Sequence, residues 1–199
     1  MKPLPPIPER MRHLDRDRRG LPIPFVVYRD TTGRPHFTIN DHFKVDRAAE
    51  FRLCAICGDR LGAHKWFVGG PASAFHPNGR YLDGPIHRDC GRFALQACPF
   101  LMATSYAHRI DAATLRVEDA HPGMGLIDYT QHPVQPVVFV FADTNAYTRS
   151  ATGIFDPVRP WRAVEFWRRG VRIDPVEARA LVEAAADPAR PFDELRWPS

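Results

Sequence analysis

Two short pairs of residues constrain this chain more than anything else in it: Cys54-Ala-Ile-Cys57-Gly58 and, thirty residues further on, His87-Arg-Asp-Cys90. Two-residue spacers let paired side chains reach a single ion, and zinc takes four thiolate or imidazole ligands in a tetrahedron. After the second cysteine such a turn needs a residue that tolerates positive φ, so that backbone amides face the sulfurs; Gly58 meets that need. His87 and Cys90 have the i, i+3 spacing that points two side chains to one side of a first helical turn. The exposed amides and positive dipole end of such a helix favour thiolate there. Two other readings stay open on the residues alone. The pairs could be unrelated buried thiols, or they could hold an iron–sulfur cluster completed by the histidine or by Cys98. Cys98 stands eight residues after Cys90, about 12 Å along a continuous helix, and is read as a small buried hydrophobe.

The residues around the pairs have a definite order. Leu53 to Leu61 forms the turn that carries the first pair, Lys65-Trp66-Phe67-Val68 reads as a strand, and Gly69 to Pro85 is a loop rich in Gly, Pro, Ser and Asn. From Ile86 the spacing predicts a helix, with Phe93, Ala97, Phe100 and Leu101 on one apolar face and a break near Cys98, because Pro99 lacks an amide. This layout resembles a treble-clef zinc finger over about residues 53–98. The resemblance implies a closed structural zinc site made by Cys54, Cys57, His87 and Cys90. The treble-clef superfamily includes nucleases of the His-Asn-His type, whose first two catalytic roles only His64 and Asn78 could fill here, with Asp83 nearby. That set is incomplete: His87 is taken by the metal, and no further histidine follows on the helix until His108.

Outside this segment the chain reads as α+β. Residues 1–23, with prolines at 3, 5, 6, 8 and 22 and charges of alternating sign, read as an arm. Phe25–Tyr28 and Pro35–Ile39 read as paired strands around the Asp30-Thr31-Thr32-Gly33 turn, and Asn40 or Asp41 caps a short helix running towards Phe51. Pro133 to Ala142 is a buried-looking strand followed by a polar stretch at Asp143 to Ser150. Arg162 to Trp167 is a second strand, antiparallel to the first. Asp174-Pro175 starts a helix to about Ala186 with Val176, Ala180, Leu181 and Ala184 on one face. In the tail, Phe192, Leu195 and Trp197 are expected to lie back on the body. The expected organisation is therefore an arm at 1–23, a zinc-finger-containing region at 24–110, and C-terminal strands and a helix at 111–199 forming one body with it.

Charge bears on what such a body could bind. Of 199 residues, 27 are Lys or Arg and 23 are Asp or Glu, a formal +4. The balance is uneven: residues 1–100 carry 16 basic and 10 acidic residues, whereas 101–199 carry 11 and 13. The positive field belongs to the half with the metal ligands, which permits a polyanionic partner. Arg60, Lys65, Arg80, Arg88 and Arg92 are the candidate phosphate contacts, with Trp66, Phe67 and Tyr81 as stacking faces or as the core of the finger. No apolar run reaches the length of a membrane span, and the N-terminus lacks the apolar stretch of a signal peptide, so the expectation is a cytoplasmic protein with no membrane partner.

No phosphate loop, nucleophile elbow or second histidine metal motif is present. The leading expectation is a zinc-stabilised, non-catalytic protein that binds DNA or RNA through a basic face around the finger. One alternative is a protein–protein adaptor with structural zinc, presenting Phe139, Phe155, Trp161, Phe166 and Trp167. Another is a metal-dependent enzyme such as a nuclease with a non-standard site. The rest of the chain resembles a protein of a high-GC bacterium or its phage, which adds no function.

Overall fold

A computed structural model describes residues 4–102, 137–185 and 195–198. After a 3-10 turn at Glu9–Met11, strands β1 (Val27–Arg29) and β2 (Pro35–Asn40) form an antiparallel hairpin, and α1 (His42–Phe51) follows. Asp41 caps α1 by accepting from the Lys44 amide. Next come β3 (Lys65–Gly69), α2 (Pro71–Phe75), α3 (Arg88–Ala97) and the single turn α4 (Pro99–Met102). The C-terminal part holds β4 (Phe139–Thr144), β5 (Tyr147–Arg149), β6 (Phe155–Pro157), β7 (Ala163–Arg168), β8 (Val171–Ile173) and α5 (Pro175–Ala184). The expected α+β class, the antiparallel strand pair and the C-terminal helix are all present. Among the described residues no helix is long and apolar enough to cross a membrane.

The organising layer is a four-stranded antiparallel sheet in the order β3-β4-β7-β8. Both of its faces are covered, and side-chain alternation sorts the residues between them. Phe139, Phe141 and Trp167 pack with Trp66, Phe93, Leu95 and the three cysteines Cys54, Cys57 and Cys90. Val138, Val140, Ala142 and Phe166 pack on the other side with Ala74, Phe75, Ala178 and Val182. The proline-rich N-terminal segment has little regular structure, yet it places Met11 and Leu21 in the first of these cores. A third, smaller cluster joins Phe67, Tyr81 and Phe155.

Burial on both faces corrects several expectations. Phe139, Phe155, Phe166 and Trp167 are core residues rather than an outward aromatic surface, and Trp161 packs against the core while donating from Nε1 to the Ala74 carbonyl. Trp66, Phe67 and Tyr81 are likewise buried, so they build the core and do not offer stacking faces. Asp143 and Thr144, expected in a polar stretch outside the strand, end β4 and are buried; the Thr144 hydroxyl lies 2.6 Å from the Val158 carbonyl and donates to it. The loop from Gly69 to Pro85 contains α2, with Pro71 at its first turn and Ala74 and Phe75 buried. Helix α5 is capped by Asp174, as expected. Its inner face is Ala178, Leu181 and Val182 rather than the expected Val176, Ala180, Leu181 and Ala184, and Val176 is 77% exposed. In the tail, Trp197 stacks on Phe166 and lies 4.9 Å from Phe75, centroid to centroid, and Leu195 packs beside it. Residues 133–136, His108 and Phe192 lie outside the described residues.

Candidate metal centre and adjoining groove

The first ligand pair sits in a tight turn closed by the Gly58 amide donating to the Cys54 carbonyl at 2.9 Å and the Cys54 amide donating to the Asp59 carbonyl at 2.8 Å. Gly58 adopts φ 78°, a region costly for other residues, and a Cβ there would meet the Phe25 ring at 3.0 Å. The second pair comes from the start of α3, where His87 is the N-cap and Cys90 lies in the first turn. The helix ends as Pro99 requires, with Cys98 extended at φ −69°, ψ 120°. Cys98 belongs to the far end of that helix and is not part of the ligand group.

One atom from each of Cys54, Cys57, His87 and Cys90 lies within 4.8 Å of all the others, so these four residues could hold a metal ion. The imidazole is oriented for ligation. Nδ1 faces Cys57 Sγ at 3.3 Å, while Nε2 is 3.2 Å from the Arg60 carbonyl, its hydrogen-bond acceptor. A proton on Nε2 leaves the Nδ1 lone pair for an ion, the outer support that histidine ligands ordinarily have. The His87 amide in turn approaches Cys54 Sγ at 3.4 Å.

Electrostatics favour a cation here. Burial alone would raise the Cys54 pKa, but hydrogen bonds from Cys57, Cys90 and His87 bring it below the ordinary thiol value. That single thiolate pushes Cys57 up to about 12 and Cys90 upward as well. The same sulfur raises the His87 pKa. Three thiols crowded together can share one negative charge, not three, unless a divalent ion offsets the repulsion.

Beside the cluster lies an open groove of about 630 Å³ lined by Arg10, Arg60, His64, Trp66, His87, Arg88, Asp89, Asp143 and Arg162, among others. Of the five expected phosphate contacts, Arg60 and Arg88 line it; Lys65, Arg80 and Arg92 do not. Lys65 is engaged by backbone, donating to the carbonyls of Gly62 at 3.0 Å and of Asn145, beyond the end of β4, at 2.8 Å. Arg80 is exposed next to Tyr81, in the third cluster. Arg88 and Arg92 both close on Glu165, with Nη2 to Oε1 distances of 2.7 and 2.6 Å, and Trp167 Nε1 donates to the other oxygen at 3.2 Å. The Arg88 guanidinium also covers the Trp66 ring at 5.1 Å.

Sequence reasoning missed Arg10, Asp143, Arg162 and Glu165. Arg10 pairs with Asp89 at 2.8 Å from the proline-rich segment. The other three come from β4, β7 and the residue before β7, and only strand alternation could have pointed to them. The nuclease candidates are not gathered: His64 lines the groove, but Asn78 and Asp83 do not. Asn78 belongs to a turn with His76, and Asp83 accepts from Asn40 at 2.9 Å. Compared with protein families, curated proteins and solved structures, the chain matches none.

Proposed function

We propose that this is a zinc-stabilised, non-catalytic binding protein that engages nucleic acid through the groove beside its metal site. Three sulfurs and one imidazole suit zinc, and four protein donors, enough to complete a tetrahedron, suit a structural role. The local order of turn, strand, loop and ligand-donating helix supports the treble-clef reading of residues 53–98. A reducing compartment such as the cytoplasm would keep the three thiols available to the ion.

The observation that carries the partner is the convergence of Arg10, Arg60, Arg88 and Arg162 on one groove. Arginine binds phosphate through a rigid fork of donors, and a groove lined by guanidinium groups attracts polyanions. With Trp66, Phe67 and Tyr81 buried, the contact falls on backbone phosphate rather than on stacked bases. Binding should therefore tolerate any sequence and weaken steeply with salt.

Fluorescence anisotropy of the zinc-loaded chain with a labelled 12-nucleotide strand and a 12-base-pair duplex, from low to moderate salt, tests this. Neutralising two or three phosphates predicts a log–log salt slope of about −2 to −3 on duplex, and Arg60→Glu should weaken binding roughly tenfold. No binding to either probe at low salt would sink the proposal. A tight complex with another protein in nuclease-treated material, with no nucleic-acid binding, would favour the adaptor alternative.

A further inference from the structure

Within the groove, one group of residues has a geometry that the arginines alone do not explain. Nδ1 of His64 lies 2.6 Å from Oδ2 of Asp143, whose side chain is 2% exposed against 60% for the imidazole. The other carboxylate oxygen accepts the Lys65 amide at 3.1 Å, so Asp143 is fixed from two directions. Arg162 is anchored beside it: its amide donates to the Asp143 carbonyl at 2.8 Å, and its Nε lies 4.0 Å from the same Oδ2 that His64 touches. A buried carboxylate thus fixes the inner nitrogen of an exposed imidazole and turns the outer one away from itself. The Arg162 guanidinium approaches the same carboxylate oxygen, and all three residues line the groove.

The charges around this group are unequal. Arg10 is offset by Asp89, and Arg88 and Arg92 share the single carboxylate of Glu165. Arg162 and His64 share Asp143, and the exposed Arg60 adds a further positive charge. The groove is therefore richer in donors than in acceptors, and Asp89, the exposed carboxylate in its lining, is paired with Arg10. A tetrahedral anion with several acceptor oxygens matches that arrangement better than a planar carboxylate, which a single arginine fork satisfies. The groove is also larger than one phosphate, leaving room for the group attached to it.

We infer that His64 and Arg162, positioned by Asp143, form a phosphate-binding site in this groove. With Nδ1 held by the Asp143 carboxylate, the ring presents Nε2 to one phosphate oxygen. Arg162 donates to a second phosphate oxygen, and Asp143 acts only through its two neighbours. The inference deepens the nucleic-acid reading and rests on it for the source of the phosphate. An isolated pyrophosphate ion carries the same chemistry without a nucleic acid.

The test uses the full zinc-loaded chain with two probes. Inorganic pyrophosphate is titrated while the histidine ring signals are followed by NMR, and a labelled 12-nucleotide strand is followed by anisotropy. Saturable movement of the His64 signals is expected, with pyrophosphate displacing the strand. His64→Gln and Arg162→Gln should each weaken pyrophosphate binding roughly tenfold while the bound-metal content stays at the wild-type value, which shows the variants are folded. Asp143→Asn should weaken it too, and if that buried variant fails to fold, the two surface variants still decide. Pyrophosphate bound at His64 with no strand binding would support the site and sink the nucleic-acid reading. Strand binding unchanged in His64→Gln and Arg162→Gln would spare that reading and overturn this one. So would His64 signals that do not move.

Discussion

Gly91 in α3 lies so close to Phe141 of β4 that a Cβ on it would stand 2.5 Å from the ring's Cζ, and 2.8 Å from Ile86 Cδ1. The helix that supplies His87 and Cys90 is thereby seated directly on the centre of the sheet. Gly91→Ala would gain helix propensity, worth about 1 kcal/mol on an unconstrained helix. Here the overpacking cost, about 1–3 kcal/mol or more, exceeds that gain, because both contacts are with buried, close-packed groups. The expected outcome is a lower midpoint in urea; an unchanged or higher midpoint would mean that α3 does not sit this close to the sheet.

Glu165 ties the same helix to β7. Burial would raise its pKa, but hydrogen bonds from Arg92 and Arg88 and their charges hold it below the ordinary carboxylate value. A carboxylate with a depressed folded pKa adds stability that is fully present above its unfolded value, near 4.5, and is lost as pH falls through the folded value. Glu165→Gln removes the charge while leaving two guanidiniums facing each other, and should cost about 2 kcal/mol at neutral pH, allowing for the partial solvent exposure of both arginines. In urea melts the gap between wild type and variant should be full at pH 7 and narrow progressively as pH falls below about 4.5. A gap that stays constant with pH would count against the ion pair.

Helix α5 offers a change remote from the metal. Asp174 accepts the Val176 amide at 2.8 Å, so Asp174→Ala should cost about 1 kcal/mol. Because α5 covers the sheet face opposite the cysteines, metal content should not change. Loss of bound metal in this variant would show that the two faces are coupled more strongly than their packing implies.

What could be read from the sequence divides along the range of the interactions. The cluster of Cys54, Cys57, His87 and Cys90 was legible because each pair is local: a turn fixes Cys54 with Cys57, and one helical turn fixes His87 with Cys90. Helix α3, its break before Pro99 and the Asp41 and Asp174 caps are local in the same way. The groove was not legible, because Arg10, His64, Asp143 and Arg162 come from four separate stretches that only the tertiary fold brings together. Asp143 has the same strand parity as Phe139 and Phe141, which places it on the metal-side face, but parity alone does not reveal that His64 meets it. The aromatic residues misled for a related reason. A strand such as Phe139–Thr144 with both faces covered has no outward side, so its aromatic content says nothing about a surface.

Metal substitution gives the sharpest test of the site. Cobalt(II) added to the chain and held in a three-sulfur, one-nitrogen tetrahedron should show intense visible absorption and a sulfur-to-metal charge-transfer band in the near ultraviolet, at one ion per chain. Cys57→Ser and Cys90→Ser should each weaken the charge-transfer band. Removal of the ion by a chelator should lower the melting temperature, because the crowded thiols then lose the charge that held them together. Cys98→Ser should leave the cobalt spectrum unchanged, since Cys98 is separated from the cluster by the length of α3. A spectrum that changes with Cys98 but not with Cys90 would reassign the ligands, and octahedral absorption in the wild type would exclude the tetrahedral site.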